Sequence, residues 1–172
     1  MEANELSEVA EKSKESNQKV VGVTMAAVAV LLAFSTMLGH RSHTEEILIE
    51  TKANDQWAYY QAKNIRSHTY EANAELAALV NSGAKVADDF KSKAETQRKE
   101  AEEVQAKARD FETESASAGR RADRFDGSEI FLEVAIVLCS ITLLTGKRTY
   151  WLVSFAASAI GAVLMAVALL TR

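Results

Sequence analysis

The stretch VVGVTMAAVAVLLAFSTMLG, Val20–Gly39, decides the fold. It carries no charge over about 20 residues, the length an α-helix needs to cross a hydrocarbon core about 30 Å thick. The preceding MEANELSEVAEKSKESNQK is long and acid-rich, unlike the short basic region that opens a cleaved signal peptide. The expectation is an uncleaved membrane anchor, residues 20–39, behind a polar N-terminal tail, residues 1–19.

Two more apolar runs lie near the other end of the chain. Residues 130–146 contain Glu133, and residues 149–171 are free of charge and open with Tyr150 and Trp151, a pair suited to a membrane interface. A link as short as GKR forces helices on either side of it to be antiparallel neighbours. Neither run has a polar face, so both read as spans and not as helices lying on a membrane surface. Three spans put the N-terminus and the Lys147-Arg148 link on one side and residues 40–128 on the other. Lys12, Lys14, Lys19, Lys147 and Arg148 fall in short segments that the positive-inside rule holds in the cytoplasm, so the long middle segment is expected on the non-cytoplasmic side.

Composition fits this division. The chain of 172 residues is 48% apolar only on average, because the apolar runs flank a densely charged middle. Proline is absent, so nothing imposes the break that proline would force in a helix interior. A net charge of -4, with basic and acidic residues interleaved, offers no field for nucleic acid. The single cysteine, Cys139, excludes an intrachain disulfide and provides no zinc-ligand spacing.

In the middle segment, Ala87, Phe90, Ala94, Gln97, Ala101, Val104, Ala108, Phe111, Ser115, Ala118, Ala122 and Phe125 recur at alternating steps of three and four. That is a heptad seam in which one row is small and the other fills gaps. A matching seam is expected upstream at Leu48, Thr51, Asp55, Ala58, Ala62, Ile65, Thr69, Ala72, Leu76 and Leu79. Asn-Ser-Gly at 81–83 is the turn signal between them. At 1.5 Å per residue the arms would be about 60 and 65 Å long, so a hairpin leaving the membrane at Gly39 returns in time for the second span. Asp126-Gly127-Ser128 is expected to serve as turn and cap there. The fold class is thus an all-α membrane protein: three transmembrane helices plus a long antiparallel coiled-coil hairpin between the first and second spans.

Trp57, Gln61, Asn64, His68, Glu71 and Glu75 form a second stripe about 100° round the first arm. Trp57, Tyr60, Gln61, Asn64 and His68 are therefore expected to face a second chain, with Ala58, Ala62 and Ile65 committed to the hairpin. The stretch WAYYQAKNIR followed by HTYE resembles the signature of a bacterial family of three-span membrane proteins catalogued as a domain of unknown function. The likeness covers an anchor, the Trp-Ala-Tyr-Tyr-Gln-Ala-Lys stretch on a charged helical segment, and a closing pair of spans. It implies this architecture in a bacterial inner (cytoplasmic) membrane and carries no activity onto these residues.

Few residues invite chemistry. His40, His43 and Glu46 share a helical face, but three such groups spaced by three are a weak metal pattern, and solvated histidines at a membrane boundary explain them better. Glu133 is the one acid inside an apolar run, and a structural ion pair with Arg41, Arg124 or Arg172 is expected ahead of proton or ion handling. Gly22, Ala26, Ser154, Ser158, Gly161 and Ala162 are small residues at spacings that let helices approach closely in lipid. There is no nucleophile beside a base, no phosphate-binding glycine loop and no paired carboxylates in an apolar pocket, so no enzyme and no cofactor are expected. The expected function is a membrane scaffold or interaction protein, homo-oligomeric through the helical stalk and small transmembrane faces. An oligomeric pore using Glu133 and a tether subunit docking another membrane protein are the alternatives.

Overall fold

The computed structural model describes residues 2–80 and 83–171, with side chains from residue 17 onward. The chain is all-helical there: α1 spans Glu2–Ala78, α2 Ala84–Thr145 and α3 Arg148–Leu170. Each carries a stretch long and apolar enough to cross a membrane. Each arm of the middle segment is continuous with the apolar run that adjoins it.

The clearest correction falls at Asp126-Gly127-Ser128, which is neither turn nor cap but the interior of α2. Two contacts hold it helical. Asp126 Oδ2 lies 3.0 Å from His43 Nε2, and buried Ser128 donates its hydroxyl to the Gly161 carbonyl at 2.8 Å. The heptad that starts at Ala87 simply continues through Glu129, Leu132, Ile136, Cys139 and Leu143, all buried or half-buried. A single glycine costs a helix about 1 kcal/mol, too little to break one whose packed face runs on unchanged.

The chain divides into two compact units, Met1–His43 with Ala118–Arg172, and Thr44–Ser117. In the three-helix unit α2 runs antiparallel to both neighbours: Ser35 donates to the Phe125 carbonyl at 3.2 Å, Ser140 lies near Met25, and Cys139 Sγ is 3.3 Å from Ser154 Oγ. Its core is a cluster of Val28, Leu132, Ala135 and Ala157, flanked by Leu31, Leu32 and Ile136. Gly146 ends α2 in the left-handed region at φ 69° and donates its N–H to the Thr142 carbonyl, the backbone arrangement by which glycine closes a helix.

In the two-helix unit partners on α2 fall in number as those on α1 rise, from Trp57–Glu112 through Lys63–Glu100 and Ser67–Ala94 to Tyr70–Phe90, so the arms are antiparallel. Asn81 and Ser82 of the expected turn lie outside the described residues. Gly83 closes its end of the turn with an N–H to the Val80 carbonyl at 2.9 Å. A Cβ there would fall 1.9 Å from the Ala77 carbonyl oxygen, so no other residue fits.

Candidate functional site

The α2 face of the two-helix unit is the one expected: Ala87, Ala94, Ala101, Val104 and Ala108 are buried, and Phe90, Gln97, Phe111 and Ser115 half-buried. The α1 face is not. The residues turned toward α2 are Glu46, Ile49, Ala53, Gln56, Tyr60, Lys63, Ser67, Tyr70, Ala74 and Ala77. Each precedes a member of the expected seam by two positions, about 200° round the helix and nearly the opposite side. Leu48, Ile65, Leu76 and Leu79 are accordingly 59, 66, 63 and 83% exposed.

Specific pairing explains why the less apolar face turns inward. Alanine rows let the backbones approach, and the hydroxyls exploit the proximity: Ser67 donates to the Ala94 carbonyl at 3.1 Å and Ser115 to the Glu46 carbonyl at 3.3 Å. Tyr70 stacks on Phe90 with centroids 6.1 Å apart, filling space an alanine row would leave empty. Trp57 donates its indole N–H to Glu112 at 2.8 Å and meets Tyr60 edge-on at 5.5 Å. Trp57, Tyr60 and Asn64 therefore border the hairpin seam and are half-buried, whereas Gln61 and His68 stay exposed. The aromatic stripe does not await a second chain as a whole, because the hairpin itself uses its larger members.

Lys63 is 8% exposed, its stem covered and its Nζ bound to Glu100, with Tyr59 alongside at 5.2 Å from nitrogen to ring centroid. The bond to Glu100 raises the Lys63 ammonium above its ordinary 10.5, against the opposing effect of burial. The same bond holds Glu100 below its ordinary 4.5, with Gln97 contributing a further hydrogen bond at 3.1 Å. Gln97 Oε1 is buried with no partner among the described residues. At the exposed end of α2, hydrogen bonding to Asp89 raises Lys93 likewise.

In the three-helix unit, Ser154 and Gly161 are the tightest of the expected small contacts. A Cβ on Gly161 would lie 2.9 Å from Leu132 Cγ and 3.1 Å from the Ser128 carbonyl oxygen. Ser158 and Ala162 are half-buried beside them. Gly22 and Ala26 mark no close approach among the described residues: a Cβ on Gly22 would meet nothing within 4 Å, and Ala26 is exposed. The expected ion pair does not form among the described residues. Glu133 points outward beside Val134 and Val137, because the buried face of α2 is held by Leu132 and Ala135. Arg124 turns instead to the Thr171 hydroxyl, Arg41 is exposed, and Arg172 lies outside the described residues.

Ser35, Ser128 and Ser67 carry buried interhelical bonds that sequence reading missed, because hydropathy gives a serine no sign of which face it occupies. For Ser35 and Ser67 the heptad position was the available signal: Ser35, Gly39 and Ser42 lie in phase with Ala53, Ser67 and Ala74. Among the described residues no three His, Cys, Asp or Glu side chains group as a metal site. A cleft lined by Glu46, Glu50, Asn54 and Glu112 occurs in the two-helix unit, and another of about 180 Å³ in the three-helix unit includes Asn17, Arg148 and Trp151. No curated protein and no solved structure matches the chain. A family model described as a domain of unknown function, DUF4337, matches residues 17–171, and the chain belongs to that family.

Proposed function

We propose that this protein is a non-enzymatic scaffold of the bacterial inner membrane, crossing it three times and assembling with copies of itself. In this reading the spans anchor the chain, and the Lys147-Arg148 link and N-terminus lie in the cytoplasm. Residues 44–117, with 25 charged side chains, then form an antiparallel coiled coil on the other side.

The observation that carries the reading is an inverted distribution of side-chain size. Alanines and serines hold most of the fully buried positions of the hairpin, beside Ile49, Lys63 and Val104, while Leu48, Ile65, Leu76 and Leu79 face outward. Two helices joined over so little apolar area are marginal alone in water, and covering the aliphatic face stabilises them. Two differently tagged copies expressed together test it. Both should stay with the membrane through an alkaline wash, and one tag should retrieve the other after mild-detergent extraction. Release by the wash, or retrieval of one tag alone, contradicts the proposal.

Conduction is a second reading, favoured by the exposed carboxylate of Glu133 within an apolar stretch. It requires ion flux from vesicles reconstituted with the protein, lost in Glu133→Gln while the assembly keeps its mass.

A further inference from the structure

We infer that the outward heptad of α1, from Leu48 to Leu79, pairs in parallel and in register with the same heptad of a second copy. The inference rests on the self-assembly proposed above and identifies the surface responsible.

The stripe comprises Leu48, Thr51, Asp55, Ala58, Ala62, Ile65, Thr69, Ala72, Leu76 and Leu79. It keeps alternating steps of three and four over its whole length, the spacing of a coiled-coil seam. Ala62 is half-buried and the other nine positions are exposed. α1 thus carries two seams: α2 covers one, and the other holds the larger aliphatics uncovered. An exposed apolar stripe of this length on a water-facing helix marks an interaction surface.

The charge pattern suits a second copy as the occupant. Two copies inserted the same way into one bilayer relate by an axis along the membrane normal, so α1 meets α1 in parallel and each stripe residue faces itself. Such a surface must exclude charge, and nine of the ten positions are uncharged. The flanking positions agree. In-register pairing sets Ile47, Asn54, Gln61, His68 and Glu75 of one copy beside Lys52, Tyr59, Arg66, Asn73 and Val80 of the other, and no pair brings like charges together. Gln61 can accept from Arg66 across the seam, which gives that exposed glutamine a partner.

Asp55 is the exception, and it supplies the discriminating test. Facing its own copy, it weakens the pairing by like-charge repulsion, so neutralising it strengthens a self-association. Facing another protein, it would be retained to meet a cation, and neutralising it would weaken binding.

The experiment uses the full chain in mild detergent, with Cys139→Ala removing the buried native thiol. Ile65→Cys, oxidised with diamide, should give a disulfide between the two copies of residue 65 and a covalent dimer of twice 18.8 kDa. Leu76→Glu should raise the concentration at which the assembly dissociates by tenfold or more, with helicity unchanged because Leu76 is exposed in the protomer. Asp55→Asn should lower that concentration several-fold. An assembly that keeps its mass, gives no cross-link at residue 65 and ignores Leu76→Glu overturns this surface while leaving self-assembly standing. Weaker assembly in Asp55→Asn overturns in-register self-pairing, and a wild-type chain that is monomeric throughout removes the underlying proposal as well.

Discussion

In the three-helix unit Ser35 and Ser128 donate to backbone carbonyls of neighbouring helices, and in the two-helix unit Ser67 and Ser115 do the same. Both units bring their helices close over small residues, and both also carry large apolar side chains on their outer faces. The surroundings make these outward faces different. Val23, Val30, Phe34 and Met37, exposed on α1 in the three-helix unit, are what lipid would cover in a span. Leu48, Ile65, Leu76 and Leu79 continue the same outward phase where 25 charged side chains exclude lipid. One heptad pattern therefore runs through apolar surroundings in one region and charged surroundings in the other.

Substitutions on the inward faces should have the largest effects and be similar in both units. Gly161→Val places atoms where Leu132 already stands, and Ala108→Leu overfills a position with no exposed surface. Each should destabilise its own unit by about 1–3 kcal/mol, read from unfolding in detergent. Leu76→Ala, on the outward face, should change protomer stability by less than about 0.5 kcal/mol. If Leu76→Ala were as damaging as Ala108→Leu at concentrations where the chain is monomeric, the assignment of inner and outer faces would be reversed.

The serine bonds should separate the units next. Ser67→Ala should cost about 1 kcal/mol, typical of a hydrogen bond in a folded protein, and Ser35→Ala about 0.6 kcal/mol, the average found in a membrane interior. The accepting carbonyls keep their helical partners, so neither change leaves an orphaned group. Equal losses at the two positions would argue that Ser35 lies in surroundings as wet as those of Ser67.

The smallest effect is one of pH and belongs to the two-helix unit. Glu100 is held below its ordinary 4.5, so its contribution is complete above that value and fades as pH falls through the lowered one. Lys63 is raised above 10.5, so its contribution is complete below that value and fades as pH rises through the raised one. Helicity against pH should therefore be flat between these limits, and Lys63→Met should reduce the acid-side loss. An unchanged acid limb in that variant would remove the pair from the account.

Much of this was legible in advance. The apolar runs located the three stretches able to cross a membrane, and the Ala87–Phe125 seam is occupied as its spacing implies. Gly161 and Ser154 were recognisable from small-residue spacing, since a missing or short side chain is itself the signal for close approach. The first arm was misread because it carries two heptads offset by two residues, and the more aliphatic one faces outward. Its inward set includes Lys63 and Ser67, whose value lies in named partners and not in hydropathy. Asp126-Gly127-Ser128 misled in a related way: its turn chemistry is local, whereas the contacts to His43 and Gly161 that keep it helical come from residues far away in the chain.

The most direct test of the central claim is the native mass of the full chain in lipid nanodiscs across a range of protein concentrations. Self-assembly predicts an integer multiple of 18.8 kDa, at least two, retained in wild type and lost on dilution sooner in Leu76→Glu. A single species of 18.8 kDa at every concentration would contradict it.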